Sequence, residues 1–308
     1  MKILFAATSA IAVETLERLN ELSLVSAVLT SPDERGKRGK ELIAPPVKVK
    51  ALELSLPVYQ FDSLKKEARS ALAPLGCDTL VSFSYGKIFG PKFLSLFERK
   101  YNIHPSALPE FRGCSPLFST ILSRKKESRV CIQNIALGVD EGEIINYKDY
   151  VLDGTETSES LEKKISSIAS SLASETFSHI NDYEEKEQSG EASYTYFIKK
   201  EDGRLDFERP AEELHARIRA CWPWPKAFCL YAGETLIISG VYGSVFSLDE
   251  KCTEKPGTVV AFVKGKGLKV STSDYYIYIS RLQKPGKKEM DAQSFINGDK
   301  RIIGALLC

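Results

Sequence analysis

Over residues 2–123 short apolar runs alternate with stretches of helical periodicity, and no other property of the chain restricts its fold as tightly. Runs at 2–7, 24–30, 58–61, 79–83 and 101–104 read as strands, while 11–22, 47–54, 64–75 and 117–123 read as helices. Strands joined through helices cannot form tight hairpins, so the repeated unit predicts an α/β, doubly wound, mostly parallel sheet. Ligands of such sheets lie beyond the carboxyl ends of the strands. Chemistry is therefore expected at 6–9, 31–42, 84–90 and 104–116.

A chain of 308 residues exceeds the size at which one core usually stops growing, which predicts two domains. The periodicity changes accordingly. Residues 158–181 read as a long helix with Leu161, Ile165, Ile168, Leu172 and Ile180 on one stripe and Thr157 or Ser158 available as N-cap. Residues 182–193 are polar, and beyond them 228–231, 235–241, 258–263, 268–271 and 275–280 read as strands joined by glycine-containing turns. The expected organisation is an α/β domain over 1–188, a linker over 189–205 and a small antiparallel β domain, a barrel, over 206–308.

The 42 Lys and Arg nearly balance 41 Asp and Glu, so a polyanionic partner could be held only by a local patch. Two exist. Residues 255–308 carry ten Lys and Arg against four acids, and 35–40 reads Arg-Gly-Lys-Arg-Gly-Lys directly after the second strand. Either alone reads as solubilising surface; together, one of them at a presumed active-site edge, they fit a path for a phosphate backbone. The seven Cys are scattered without a C-x-x-C pair, which argues against a disulfide framework or zinc site and for reduced thiols in the cytoplasm. The N-terminal apolar run is interrupted by Thr8 and Ser9 and reads as strand plus helix rather than a secretory signal. No stretch supplies the ~20 apolar residues of a membrane span.

The densest polar segment is Asn102-Ile103-His104-Pro105-Ser106-Ala107-Leu108-Pro109-Glu110-Phe111-Arg112-Gly113-Cys114-Ser115-Pro116. Asn102 and His104 stand two apart at a strand end, so their side chains leave the same face and can act on one substrate atom. Further along, Gly138-Val139-Asp140-Glu141-Gly142 places a carboxylate in a tight loop. An amide donor, an imidazole and an orienting carboxylate suit acyl-type transfer through an oxyanion, although a lone His near a strand end is more often structural. No Ser or Cys stands in a nucleophile-elbow context, which favours direct attack of one substrate on another. Residues 6–10 lack the glycines of a dinucleotide fingerprint, so NAD is not expected; the scattered cysteines leave no metal expected either.

Segment 102–116 resembles the N-x-H-x-S-L-L-P-x-x-R-G-x-x-P pattern of the 10-formyltetrahydrofolate-dependent formyltransferases, and 138–142 resembles their D-x-G loop. Residues 30–33, 35–40 and 45–48 are similar to the inserted loop of the branch of that family acting on methionyl-tRNA. Residues 84–88 are similar to its folate-lining segment, and 194–207, 222–225 and 282–288 to its linker and C-terminal domain. The resemblance implies a Rossmann-like formyltransferase fold followed by an OB-like barrel, in a cytoplasmic monomer. The implied reaction moves a formyl group from 10-formyltetrahydrofolate to the free α-amine of methionine on charged initiator tRNA, in translation initiation.

The residues implied as catalytic are Asn102, His104 and Asp140: the first two stabilise the oxyanion, while Asp140 orients His104 and assists proton transfer. Folate contacts are implied at Ser84, Tyr85, Gly86, Ile88, Ser106, Leu108, Pro109, Val139 and Gly142, and tRNA contacts at Arg35, Lys37, Arg38, Lys40, Lys284, Lys287 and Lys288. Tyr85 and Phe89 are equally readable as core packing, and Arg112-Gly113 as a turn with Arg112 paired to a carboxylate. Ala107 stands for the usual Leu, Ala7 for Gly, and Ser9-Ala10 for Pro and an acidic residue. These departures bear on amino-acid selection and on packing under the motif, not on the three reacting residues. A sugar-nucleotide N-formyltransferase would share the core but not need the basic patches. A noncatalytic RNA-binding protein would leave the 102–116 motif without a purpose.

Overall fold

The computed structural model describes residues 1–36 and 42–308, so Lys37, Arg38 and Lys40 lie outside the described residues. The chain divides into two compact units, Met1–Pro116 with Arg129–Tyr150 and Glu162–Thr195, and Leu117–Ser128 with Val151–Leu161 and Tyr196–Cys308.

The first unit is built on a seven-stranded sheet. In chain order its elements are β1 (Ile3–Ala7), α1 (Val13–Glu21), β2 (Val25–Thr30), α2 (Pro46–Glu53), β3 (Val58–Gln60), α3 (Lys66–Leu72), β4 (Thr79–Phe83), the one-turn α4 (Pro91–Leu94) and β5 (Arg99–His104). They are followed by α5 (Pro116–Leu122), β6 (Glu127–Asn134), β7 (Ile144–Val151) and α6 (Ser158–Ser178). The strand order is β7-β6-β5-β4-β1-β2-β3. Pairing is parallel from β5 through β4, β1 and β2 to β3, as the alternation requires. β1 and β4 are buried along their whole length, which is why they read as continuous apolar runs. On α1, Leu16 and Leu19 are buried while Glu14 and Arg18 are exposed. Pro46 opens α2, where its fixed φ and missing N–H cost nothing. Thr157 caps α6: its Oγ1 accepts from the Ser160 N–H at 3.1 Å, and the Ser160 hydroxyl accepts from the Thr157 N–H at 2.9 Å.

The structure adds two strands that the sequence reading did not assign. β6 pairs antiparallel with β5, and β7 forms the sheet edge. Tyr147, Lys148 and Asp149 are exposed on β7, and Arg129 of β6 reaches Asp149 at 2.9 Å. An edge strand with one wet face carries such residues, so its apolar signal is broken. The rings of Tyr85, Phe89, Phe93 and Phe97 stack in series at centroid spacings of 5.4, 5.4 and 5.7 Å within a core cluster below the β4 carboxyl end. Tyr85 is buried and Phe89 half-buried, and both rings pack in this cluster.

In the second unit, β8 (Ala227–Tyr231), β9 (Glu234–Val241), β10 (Val259–Val263), β11 (Gly267–Ser271) and β12 (Tyr276–Gln283) form an antiparallel sheet in the order β8-β9-β12-β11-β10. Each strand lies within a few residues of its expected place. Gly267 closes the β10–β11 turn at φ +126°, where a Cβ would lie 2.1 Å from the Ile279 carbonyl oxygen. The helix α7 (Ala211–Ala220) escaped the periodicity because polar groups occupy its buried face. His215 Nδ1 accepts from Arg219 Nε at 3.1 Å, His215 Nε2 lies 3.2 Å from the Tyr242 carbonyl, and Arg219 Nη1 donates to the Glu156 carbonyl at 2.8 Å. Burial first, and the neighbouring guanidinium second, push His215 down to about 4. Among the described residues no helix is long and apolar enough to cross a membrane.

Candidate active site

β5 ends with Asn102 and His104 on one face of the sheet, and in the antiparallel ladder Asn102 stands opposite Gln133 of β6. The loop 135–143 leaves β6 and turns back over this position. Asp140 takes the left-handed φ of +55° at its tip. Gly142 closes the loop so tightly that a Cβ would lie 1.8 Å from the Asn134 carbonyl oxygen, which explains the glycine. The returning Asp140 carboxylate becomes the centre of the cluster. Its Oδ1 accepts from Asn102 Nδ2 at 3.1 Å and Gln133 Nε2 at 3.0 Å; its Oδ2 accepts from the Gly113 N–H at 2.7 Å and faces His104 Nδ1 at 3.5 Å. His104 Nε2 lies 3.0 Å from the Phe111 carbonyl oxygen, which only accepts, so Nε2 carries a hydrogen. His104 is buried, while Asn102 and Asp140 are half-buried.

Asn102 and His104 therefore converge on the Asp140 carboxylate at the carboxyl end of a parallel strand. Sequence reasoning missed Gln133, Gln188 and the Phe111 carbonyl. A glutamine inside the apolar run 130–135 was a detectable signal for the first; nothing local marks Gln188. Its Oε1 accepts from Arg112 Nε and Nη2 at 3.2 and 2.8 Å, and its Nε2 donates to the Asp140 and Gly142 carbonyls at 2.9 and 2.8 Å. Arg112 Nη1 also meets Glu141 Oε1 at 3.3 Å and the Tyr194 hydroxyl at 3.0 Å. Gly113 sits at φ +106° with a Cβ position 2.8 Å from the Thr195 carbonyl oxygen. Arg112 pairs with a carboxylate, Glu141, as the structural reading has it; Gly113 is a residue of a two-residue strand paired with Tyr194–Thr195 rather than the end of a turn.

The segments expected to border a folate split by exposure. Ser84, Gly86, Ile88 and Val139 are exposed, Ile88 to 80% and Val139 to 49%. Ser84 donates its hydroxyl to Ser9 at 3.0 Å, and its carbonyl accepts from the Thr8 N–H at 3.1 Å. Tyr85, Ser106, Leu108, Pro109 and Gly142 are buried. Burial pushes the Tyr85 phenol up to about 12, and the Ser106 hydroxyl donates to the Glu110 carbonyl at 2.6 Å. Of the expected tRNA contacts, Arg35 is exposed in a short strand pairing with Leu42–Ile43. In the second unit Lys287 and Lys288 are exposed, while Lys284 is drawn to Asp299 at 3.2 Å. Among the described residues no three His, Cys, Asp or Glu side chains could together hold a metal ion.

An amide, an imidazole and a carboxylate in contact can neutralise a forming oxyanion and move a proton. Comparison with known proteins shows the family. Residues 1–177 match the family model described as formyl transferase, and 197–300 the formyl transferase C-terminal domain. The methionyl-tRNA formyltransferase of Borreliella afzelii is 35% identical over 308 residues, 99% of this chain and 97% of the relative. That of Treponema denticola is 33% identical, covering 97% of each chain. Among solved structures, the sugar 3N-formyl transferase WlaRD superposes with a TM-score of 0.64 at 20% identity, over 94% of this chain and 99% of that one. HypX of Aquifex aeolicus in complex with tetrahydrofolic acid gives 0.61 at 16% identity, over 96% of this chain and 47% of that one. With both domain models matched in order and full-length relatives above 30% identity, the chain belongs to the formyl transferase family.

Proposed function

We propose that this chain transfers the formyl group of 10-formyltetrahydrofolate to the free α-amine of methionine on charged initiator tRNA, with Asn102, His104 and Asp140 as the catalytic residues. The observation that carries the reading is the gathering of Asn102, His104 and the Gly113 N–H around the Asp140 carboxylate. The folate supplies an activated formyl group. The methionyl amine attacks its carbon and the bond to N10 breaks. One Asn102 amide hydrogen is spent on Asp140; the other is available to the oxyanion. His104, with Nδ1 toward Asp140, exchanges its Nε2 contact with the Phe111 carbonyl for the substrate, shares that charge and helps carry the proton from the attacking amine to the leaving nitrogen. Such a donor is worth about 100- to 1000-fold in rate.

Exposed Ile88 and Val139, in the loops after β4 and β6, supply apolar surface suited to a flat pterin. Residues 1–188 then hold the reaction, 189–205 link, and 206–308 contribute tRNA contacts at Lys284, Lys287 and Lys288, joined by Arg35, Lys37, Arg38 and Lys40. We read the second sheet as an OB-like barrel, supported by the register shifts around Gly240 and Val259 that bend its strands. Free cysteines throughout the described residues fit a reducing cytoplasm, and we take the chain to act as a monomer. The test is formyl transfer by the purified chain to charged initiator tRNA against amino-sugar nucleotides. Preference for the tRNA is expected; turnover of the sugar substrate alone overturns the reading.

A further inference from the structure

We propose that Gln188 is a positioning residue for Asp140, acting through a directional relay of hydrogen bonds that begins at Arg112; the inference rests on the catalytic reading above. A guanidinium has only donors. With Arg112 Nε and Nη2 at 3.2 and 2.8 Å from Gln188 Oε1, the Gln188 amide has one permitted orientation, oxygen toward Arg112 and nitrogen toward the 135–143 loop. All that Nε2 meets there are acceptors: the Gly142 carbonyl at 2.8 Å, the Asp140 carbonyl at 2.9 Å and Gln133 Oε1 at 3.1 Å. Because Gln133 Oε1 is taken, Gln133 must turn its own Nε2 to Asp140 Oδ1, where it stands at 3.0 Å. Gln133 is 1% exposed, so water does not substitute for either bond.

The relay fixes Asp140 twice. Directly, it holds the carbonyl of a residue whose φ of +55° a non-glycine side chain seldom adopts. Indirectly, it guarantees that the buried amide beside the carboxylate presents a donor, when the reversed amide would set oxygen against oxygen. Arg112 is in turn anchored by Glu141 at 3.3 Å and by the Tyr194 hydroxyl at 3.0 Å. A charge at the start of the relay thus sets the polarity of two neutral amides and, through them, the carboxylate that meets Asn102 and His104.

Gln188→Glu tests this, because it keeps size and the bonds from Arg112 while placing an oxygen against three acceptors. Gln188→Ala removes the relay without adding a charge and guards against misfolding of the first variant. In formylation of charged initiator tRNA, both are expected to lower kcat about 10- to 100-fold, the range seen when a partner that orients a reacting group is lost. KM for both substrates should stay within about threefold, since no uniform binding is removed. Combined with Gln133→Leu, the loss should fall short of the product of the single losses, as it must when one path carries both. Independently of turnover, the ring-proton NMR signals of His104 should move in both variants while those of His179 and His215 stay in place. Additive losses, a change confined to KM, or unmoved His104 signals overturn the relay. A wild-type chain inactive on the tRNA overturns the functional reading instead, and the NMR comparison then still decides the relay.

Discussion

Replacing Asp140 by Asn is isosteric, yet it exchanges one of two acceptor oxygens for a donor at a point where three donors meet. The new side chain can turn its oxygen either way. The Gly113 N–H, at 2.7 Å, belongs to backbone that cannot rotate away, so the oxygen will keep that partner and the new NH2 will face Asn102 Nδ2 and Gln133 Nε2. Each donor left without an acceptor costs about 1–3 kcal/mol. Asn102 is half-buried and recovers part of this from water; Gln133, at 1% exposure, does not. The sum is about 2–4 kcal/mol, a fall in Tm of about 3–6 °C for a chain of 308 residues. Turnover suffers more, because Asn102 loses the bond that aims it and His104 the group that orients it, and one misplaced oxyanion donor alone costs about 100- to 1000-fold. Single-turnover formylation at saturating substrates should therefore slow about 1000-fold or more, with tRNA binding retained. A folded variant that turns over within tenfold of wild type, or one whose Tm does not move, would refute the assignment of Asp140 as the centre of the site.

Gly142→Ala should cost about 3 kcal/mol and depress activity together with thermal stability, since its Cβ would stand 1.8 Å from a backbone oxygen; an unchanged Tm would show that the loop yields freely. His215, held neutral near 4 by burial, should make the second unit lose stability as pH falls from about 6.5 through about 4, because its folded value lies below the unfolded one and protonation favours the unfolded chain. Thermal melts across that range should slope for wild type and flatten for His215→Gln; equal slopes would remove His215 as the cause. Neutralising Arg35, Lys37, Arg38 and Lys40 together should weaken tRNA binding and lower its salt dependence by about one unit of slope per lost phosphate contact, and an unaltered slope would make them ordinary surface residues.

Strands β1, β2, β4, β5, β8, β9, β11 and β12 were legible in the sequence because each buries an unbroken or alternating apolar set, a local property that periodicity reports directly, while β3 and β10, half-buried, were legible from their apolar composition. Asn102 and His104 were legible for the same reason: two residues on one strand share a face whatever the rest of the chain does. β7 and α7 were not, since an edge strand with a wet face and a helix burying His215 and Arg219 carry polar residues where the pattern expects apolar ones; internal β6 carries an apolar run at 130–133 that was not assigned.

By itself, then, the order of residues determined the parallel α/β core, the antiparallel sheet that follows it, and an amide and imidazole side by side at a strand end. The carboxylate that serves them, Asp140, was named from its loop motif and the family resemblance; what holds it in place was decided only by the folded chain. Asp140 reaches them by reversing over an antiparallel strand, and Gln188 arrives from a polar stretch with no pattern of its own. Hydrogen bonds between side chains depend on distance and direction in space, and separation along the chain encodes neither.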